Sequence, residues 1–348
     1  MRNKNMKAIV IYEAGGPEKL VYTEVPVPEV KPGWSLVRII GRGVNHSEIF
    51  TRDGESPSVT FPRILGIECV GVIAESTDPV RLPVGEKVIS IMGEMGRAFD
   101  GGYAEYALLP NNQIYPVTTD LPWEILAALP ETYYTAYGSM KNLRITEGSR
   151  ILVRGGTSGV GIAFVRLVKS GFKDVQVTGT TRNMRKAGAL LDEGFDQVVE
   201  DRNRVLQTEE KYDRIFDLIG PAALRDTFAH TADGGIICVT GLLGGKWTLD
   251  DFDPLEDLPV NGYLTAFHSG NVTEQSLQEM LDYVKEHGVD CRPEKVFELP
   301  EMAKAHEYLG SSHSFGKVVV MSEKNARITR LAFLEAAHSA SSGGKEVR

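Results

Sequence analysis

The chain has 348 residues, 42% of them hydrophobic and 24% charged, enough to build two packed domains. Its formal charge of −9 argues against a nucleic acid as the main partner, since clustered Lys and Arg hold phosphate backbones. No uninterrupted apolar stretch is long enough to span a bilayer, and residues 1–7 lack the apolar stretch of a secretory leader, so a cytoplasmic location is expected.

In chain order, residues 6–12 and 20–25 predict paired strands, and Pro-rich residues 26–32 lead into another at 35–40. Short strands broken by Gly and Pro follow at 69–75, 87–91, 102–109 and 112–116, the texture of a compact, mostly antiparallel barrel. Residues 122–138 predict helix. From residue 150 strands near 151–154, 175–180, 196–199, 213–218, 235–240 and 262–267 alternate with helices near 160–171, 183–192 and 221–229, which predicts a doubly wound parallel sheet. Residues 273–287 then predict a helix capped by Thr273, with Leu277, Met280, Leu281 and Val284 on one face. Strands return at 296–299 and 317–321.

These late strands imply an α/β chain whose parallel sheet is inserted into the barrel. Residues 1–128 and 268–323 would form a discontinuous catalytic domain and residues 129–267 the dinucleotide-binding domain, with the active site in the cleft between them. Residues 324–348, amphipathic at 328–337, predict a partly disordered tail. Cys69, Cys238 and Cys291 are far apart and form no CxxC pair, so each reads as a small apolar filler rather than part of a disulfide framework.

The most informative segment is residues 150–171, an apolar strand, a glycine turn and an amphipathic helix, the arrangement that cradles a pyrophosphate. Gly156 would take the bend, Ser158 replaces the usual second glycine, and Gly161 would let helix and strand pack closely. Gly159 and Val160 open the helix. About 20 residues on, where an acid would hold a ribose 2′-OH, the chain has Thr180 and Thr181 followed by Arg182, Arg185 and Lys186. Hydroxyls and cations suit a 2′-phosphate, which predicts NADPH over NADH.

Met6-Lys-Ala-Ile, Glu13-Ala-Gly-Gly-Pro-Glu, Gly43-Val-Asn-His-Ser-Glu with Arg52-Asp-Gly, Leu65-Gly-Ile-Glu, Gly101-Gly-Tyr-Ala-Glu-Tyr, Thr135-Ala-Tyr and Gly316-Lys-Val-Val join the glycine turn in order along the chain. Together they resemble the zinc-independent branch of the medium-chain dehydrogenase/reductase superfamily, the quinone oxidoreductases and enone reductases. The resemblance implies a Rossmann sheet inserted into a GroES-like β-barrel, and commonly a homodimer joined through the edge of the sheet, for which 258–267 is the candidate here. Its zinc-binding relatives place Cys and His where this chain has Asn45 and Ile67, and a third Cys at Glu131, a donor set unfit for catalytic zinc. No metal is therefore expected.

Without a Lewis acid, hydride delivery to an electron-poor quinone or α,β-unsaturated carbonyl is the compatible reaction. The resemblance places Asn45 beside the nicotinamide, where its amide could donate to the acceptor carbonyl, and Arg52 in the cleft lining; Thr135 is a third candidate catalytic residue. Phe50, where bacterial relatives often carry Tyr, and Tyr133 would line the substrate. Towards the cofactor it carries Gly156, Ser158, Gly159, Val160, Gly161, Thr181, Arg182 and Lys186, then Gly241, Leu242, Phe267, Ser269 and Lys317. Asp201 stands where some relatives have an aromatic against the adenine. Two alternatives stay open: an enoyl-thioester reductase, and an NADPH-binding protein of low turnover with a structural or regulatory role.

Overall fold

A computed structural model describes residues 5–322. The expected tail at 324–348, with its amphipathic stretch, lies outside the described residues. The described residues divide into two compact units, one running from residue 5 to Ala127 and taking in Lys295–Tyr308 and Val318–Ser322, the other comprising Ala128–Glu294 and Leu309–Lys317.

The first unit begins with β1 (Asn5–Ile11) and β2 (Val21–Pro26), an antiparallel pair as expected, followed by the long β3 (Trp34–Val44) and the short helix α1 (His46–Arg52). The strands β4 (Arg63–Ile64), β5 (Glu68–Glu75), β6 (Lys87–Ile91), β7 (Tyr106–Pro110) and β8 (Tyr115–Pro116) follow, closed by helix α2 (Trp123–Ala128). β3 runs four residues beyond the stretch that alternation alone marks, because Gly41, Arg42, Gly43 and Val44 pair with a strand from the far end of the chain. Side chains of Val37, Ile39, Cys69, Ile73, Val88 and Leu109 form the core between these strands.

The second unit starts with helix α3 (Pro130–Asn142) and then alternates β9 (Arg150–Arg154), α4 (Gly159–Gly171), β10 (Gln176–Thr181), α5 (Ala187–Asp192), β11 (Gln197–Arg202), β12 (Val205–Leu206), β13 (Tyr212–Asp217), α6 (Leu224–Ala229), β14 (Thr231–Val239) and β15 (Tyr263–Ala266). The sheet order is β12-β11-β10-β9-β13-β14-β15. All pairs are parallel except β11 with the added edge strand β12. The order reverses between β9 and β13, the switch point at which such sheets bind ligands beyond their carboxyl ends.

Helix α7 (Glu274–Glu286) follows, capped by Thr273 as its sequence predicts, with Oγ1 accepting from Ser276 N–H at 3.1 Å. The described residues finish with β16 (Lys295–Glu298), helix α8 (Met302–Gly310) and β17 (Val318–Met321), which pairs with β3. Residues 268–294 and 309–317 cluster with the parallel sheet, which corrects the expectation that everything from 268 to 323 returns to the barrel. The reason is packing: α7 buries its apolar face, Tyr283 donates to the Leu167 carbonyl of α4 at 3.1 Å, and Tyr134 of α3 donates to the Asn271 carbonyl at 3.1 Å.

Candidate active site

Beyond β9 the chain enters the glycine turn. Gly155 has φ +95°, and its N–H donates to Thr180 Oγ1 at 3.0 Å. The bend expected at Gly156 therefore falls one residue earlier; Gly156 is small because a Cβ there would stand 3.1 Å from the Thr180 nitrogen of β10. Ser158 caps α4, donating to the Gly155 carbonyl at 2.8 Å and accepting from Gly161 N–H at 3.1 Å. At Gly161 a Cβ would lie 2.6 Å from the Gly155 oxygen, so only glycine allows this close return. Gly159 and Val160 form the first turn of α4, whose N–H groups and dipole suit an anionic group.

At the end of β10, Thr180 and Thr181 are buried, and Thr181 Oγ1 accepts from Asn183 N–H at 3.1 Å. Lys186 donates to the Ser314 carbonyl at 2.7 Å. Burial, and then the charge of Arg182, hold its ammonium below the ordinary lysine range. A dianion against Lys186 and Arg182 would oppose both effects, so the residues fit a phosphorylated ribose. No acid occurs from Thr180 to Lys186. The segment 311–317 lies along the same turn: Gly316 N–H donates to the Thr157 carbonyl at 3.3 Å, and a Cβ on Gly159 would come within 3.4 Å of Lys317 Cα. Lys317 itself is buried.

The remaining cofactor candidates also follow carboxyl ends of strands. Gly241 packs on the Leu218 backbone, where a Cβ would meet the carbonyl oxygen at 2.3 Å, and Leu242 succeeds it. Phe267 packs against Gly138 and edge-on to Tyr134. Ser269 and Thr135 come together on one carboxylate, donating to Glu131 Oε1 at 2.8 and 3.2 Å. Asp201 serves the interior: it pairs at 2.9 Å with the fully buried Arg154, which also reaches Asp226 at 2.9 Å. That charge requirement accounts for an acid at this position.

Tyr133, expected to line the substrate, is corrected to a core residue of the second unit. It is 2% exposed, its hydroxyl donates to the Asp290 carbonyl at 3.0 Å, and burial pushes its pKa well up.

The first unit holds the other group of candidates. Asn45 precedes α1, and its backbone N–H donates to Glu48 Oε2 at 3.0 Å while its side-chain amide donates to Glu68 Oε1 at 2.8 Å. Glu48 Oε1 also accepts the N–H of Ile67 at 3.2 Å, so the buried carboxylates Glu48 and Glu68 form a platform for the turn. Ile67 is buried and offers no metal donor. Among the described residues no three His, Cys, Asp or Glu side chains group to hold a metal ion. Arg52 is buried, with Nε donating to the Gly15 carbonyl at 2.9 Å and Nη2 to Asp53 at 2.7 Å. Phe50 sits half-buried on the same helix.

Sequence reasoning misses His306. It is 1% exposed on α8, with Nε2 3.0 Å from Tyr103 Oη and Nδ1 3.4 Å from Arg52 Nη1. The signal was present: Met302, Ala305, His306 and Leu309, all buried, follow the i, i+3, i+4, i+7 spacing of an inward helix face.

Comparison with known proteins agrees with this arrangement. The model of the alcohol dehydrogenase GroES-like domain matches residues 31–119, and that of the zinc-binding dehydrogenase domain matches residues 193–320. A quinone oxidoreductase of Lama guanicoe is 28% identical over 335 residues, covering 91% of this chain and 97% of the relative. The chloroplastic NADPH-dependent alkenal/one oxidoreductase of Arabidopsis thaliana is 24% identical over 329 residues, covering 91% and 80%. The structure of a quinone oxidoreductase from Coxiella burnetii superposes with a TM-score of 0.79 at 23% identity, over 92% of this chain and all of that one, a likeness of fold. With its glycine turn, parallel sheet and barrel strands, the chain is similar to oxidoreductases of the medium-chain dehydrogenase/reductase superfamily and carries matches to both of that superfamily's domain models.

Proposed function

We propose that the chain is an NADPH-dependent, metal-independent reductase that delivers hydride to a quinone or an α,β-unsaturated carbonyl. The observation that carries this reading is the donor set at the zinc positions of relatives: an amide already committed to Glu68, a buried isoleucine and a single carboxylate. Such a set cannot hold the Lewis acid that alcohol oxidation requires, so the acceptor must be electron-poor in its own right. Bound NADPH supplies the hydride.

The chain's residues then bind and orient. Ser158, Gly159, Val160 and Gly161 present the helix terminus to the pyrophosphate, with Gly155 and Gly156 keeping the backbone close, while Lys186, Arg182 and Thr181 hold the 2′-phosphate. Gly241, Leu242, Phe267, Ser269 and Lys317 are assigned to the rest of the dinucleotide. Asn45, oriented by Glu68, is assigned to the acceptor oxygen, and Arg52 and Phe50 to the lining beside it. Thr135 belongs to the Glu131 cluster and keeps a supporting role.

With 9,10-phenanthrenequinone or a simple enone, exhaustively chelated protein is expected to oxidise NADPH far faster than NADH. Tight NADPH binding without turnover over a broad acceptor panel would overturn the reductase reading. It would favour a nucleotide-binding protein of low turnover, a reading to which the internal partners of Asn45, Arg52 and Thr135 lend weight.

We also propose a homodimer joined through β15. This strand ends the sheet, and Val260, Tyr263 and Leu264 beside and within it are exposed.

A further inference from the structure

The imidazole of His306 lies between two groups of fixed hydrogen-bonding character. Arg52 can only donate, so the nitrogen facing it, Nδ1 at 3.4 Å, must carry a lone pair. A neutral imidazole then holds its hydrogen on Nε2, which donates to Tyr103 Oη at 3.0 Å. The phenol's own hydrogen is left for another acceptor, and the anions whose charge bears on it are Glu48 and Glu68. These carboxylates receive the backbone N–H and the side-chain amide of Asn45. The hydrogen bonds thus run from the Arg52 guanidinium through His306 to Tyr103, whose phenol also feels the negative charge of Glu48 and Glu68.

The frame around this run is stiff. The Tyr103 ring occupies the space a side chain at Gly66 would need, with a Cβ there falling 2.6 Å from Tyr103 Cδ1 and φ at +103°. His306 and Tyr103 rings meet edge to face with centroids 5.6 Å apart. Met302, Ala305 and Leu309 anchor the buried face of α8 on either side of the imidazole.

We propose that His306 is a positioning residue of this half-site: a neutral imidazole in the Nε2–H tautomer that sets the Arg52 guanidinium while its other nitrogen is fixed by Tyr103. This rests on the reading that Asn45 and Arg52 meet the acceptor. Burial, Arg52 and His46 all oppose a charged imidazole, pulling its pKa down to about 3. The groups facing it are Arg52, His46 and Tyr103. A merely structural core histidine would share the burial but would not couple to Arg52 in the rate.

The test joins a spectrum to a mutant cycle on the full chain. In protein labelled with 15N-histidine, the resonance assigned by its loss in His306→Asn should report an Nε2–H tautomer, unchanged from pH 5 to 8. Its Nδ1 shift should move in Arg52→Ala. With 9,10-phenanthrenequinone, His306→Leu should lower kcat/KM about 10- to 100-fold while leaving the NADPH Kd within about twofold. His306→Asn, which restores an acceptor toward Arg52, should recover most of the loss. In an Arg52→Ala background His306→Leu should cost no more than about twofold further.

Equal losses in both backgrounds, a parallel loss of NADPH affinity, or titration of the imidazole between pH 5 and 8 would overturn the proposal. Should His306→Leu fail to fold, Tyr103→Phe takes its place in the cycle with the same expectations. If the wild-type chain reduces no acceptor, the reductase reading falls; the tautomer and its response to Arg52→Ala then decide the placement of His306 independently.

Discussion

Lys186 is the residue on which coenzyme choice turns. Its ammonium is half-buried, lies near Arg182 and is tied to the Ser314 carbonyl at 2.7 Å, so it is in place before any phosphate reaches it. Lys186→Glu should weaken NADPH binding about 10- to 100-fold, about 1.4 to 2.8 kcal/mol, while NADH binding changes by less than about twofold. Fluorescence titration of both coenzymes checks this; equal weakening would mean the residue acts on the fold. His306 makes a prediction of a different kind. Its folded pKa of about 3 lies below the ordinary value of about 6.5, so between these the unfolded chain binds a proton that the folded chain does not. Its contribution is therefore full above about pH 6.5 and is lost as the pH falls toward 3. Melting curves from pH 7 to 4 should show a steeper fall in Tm for the wild type than for His306→Asn. Asp217, whose carboxyl burial raises, contributes with the opposite sign, and the comparison cancels it.

At the scale of the element, the strand, turn and helix from Arg150 to Gly171 act as one piece. Ser158→Ala removes the cap and should cost about 1 kcal/mol in denaturant unfolding. Gly161→Ala should cost about 1 to 3 kcal/mol and weaken both coenzymes together, because the added methyl strikes the Gly155 carbonyl rather than a yielding side chain. This unit was legible in the sequence because its signals are local: an apolar run, glycines, and a helix with one apolar face. The alternation that follows was legible for the same reason. Which glycine carries the positive φ was not, since Gly155 and Gly156 differ only in what the neighbouring strand allows. Asn45 was placed by its motif, yet its partner Glu68 lies 23 residues away and emerges only from the fold. Helix α8 was missed because its inward face carries the polar His306 and its apolar positions are interleaved with Lys304 and Glu307, and Tyr133 was misplaced because an aromatic in a motif reads equally as lining or core. The membership of α7 is set by tertiary packing that no periodicity encodes.

For the whole molecule, the exposed rim at β15 sets the expected assembly. Light scattering should report a dimer, and Leu264→Lys, which places a charge on the edge strand, should shift it toward monomer while NADPH affinity holds. A wild-type monomer at all accessible concentrations would overturn the pairing.

The strand β17 pairs with β3, joining residues 318–321 to residues 41–44. During synthesis the parallel sheet can assemble all seven strands once residue 266 has emerged, whereas the barrel must wait for nearly the last described residues before its longest strand gains its final neighbour. The portion made first is thus completed last, and a nascent chain halted between these points would carry a finished nucleotide sheet behind an open barrel seam, vulnerable to proteases and to pairing with strangers.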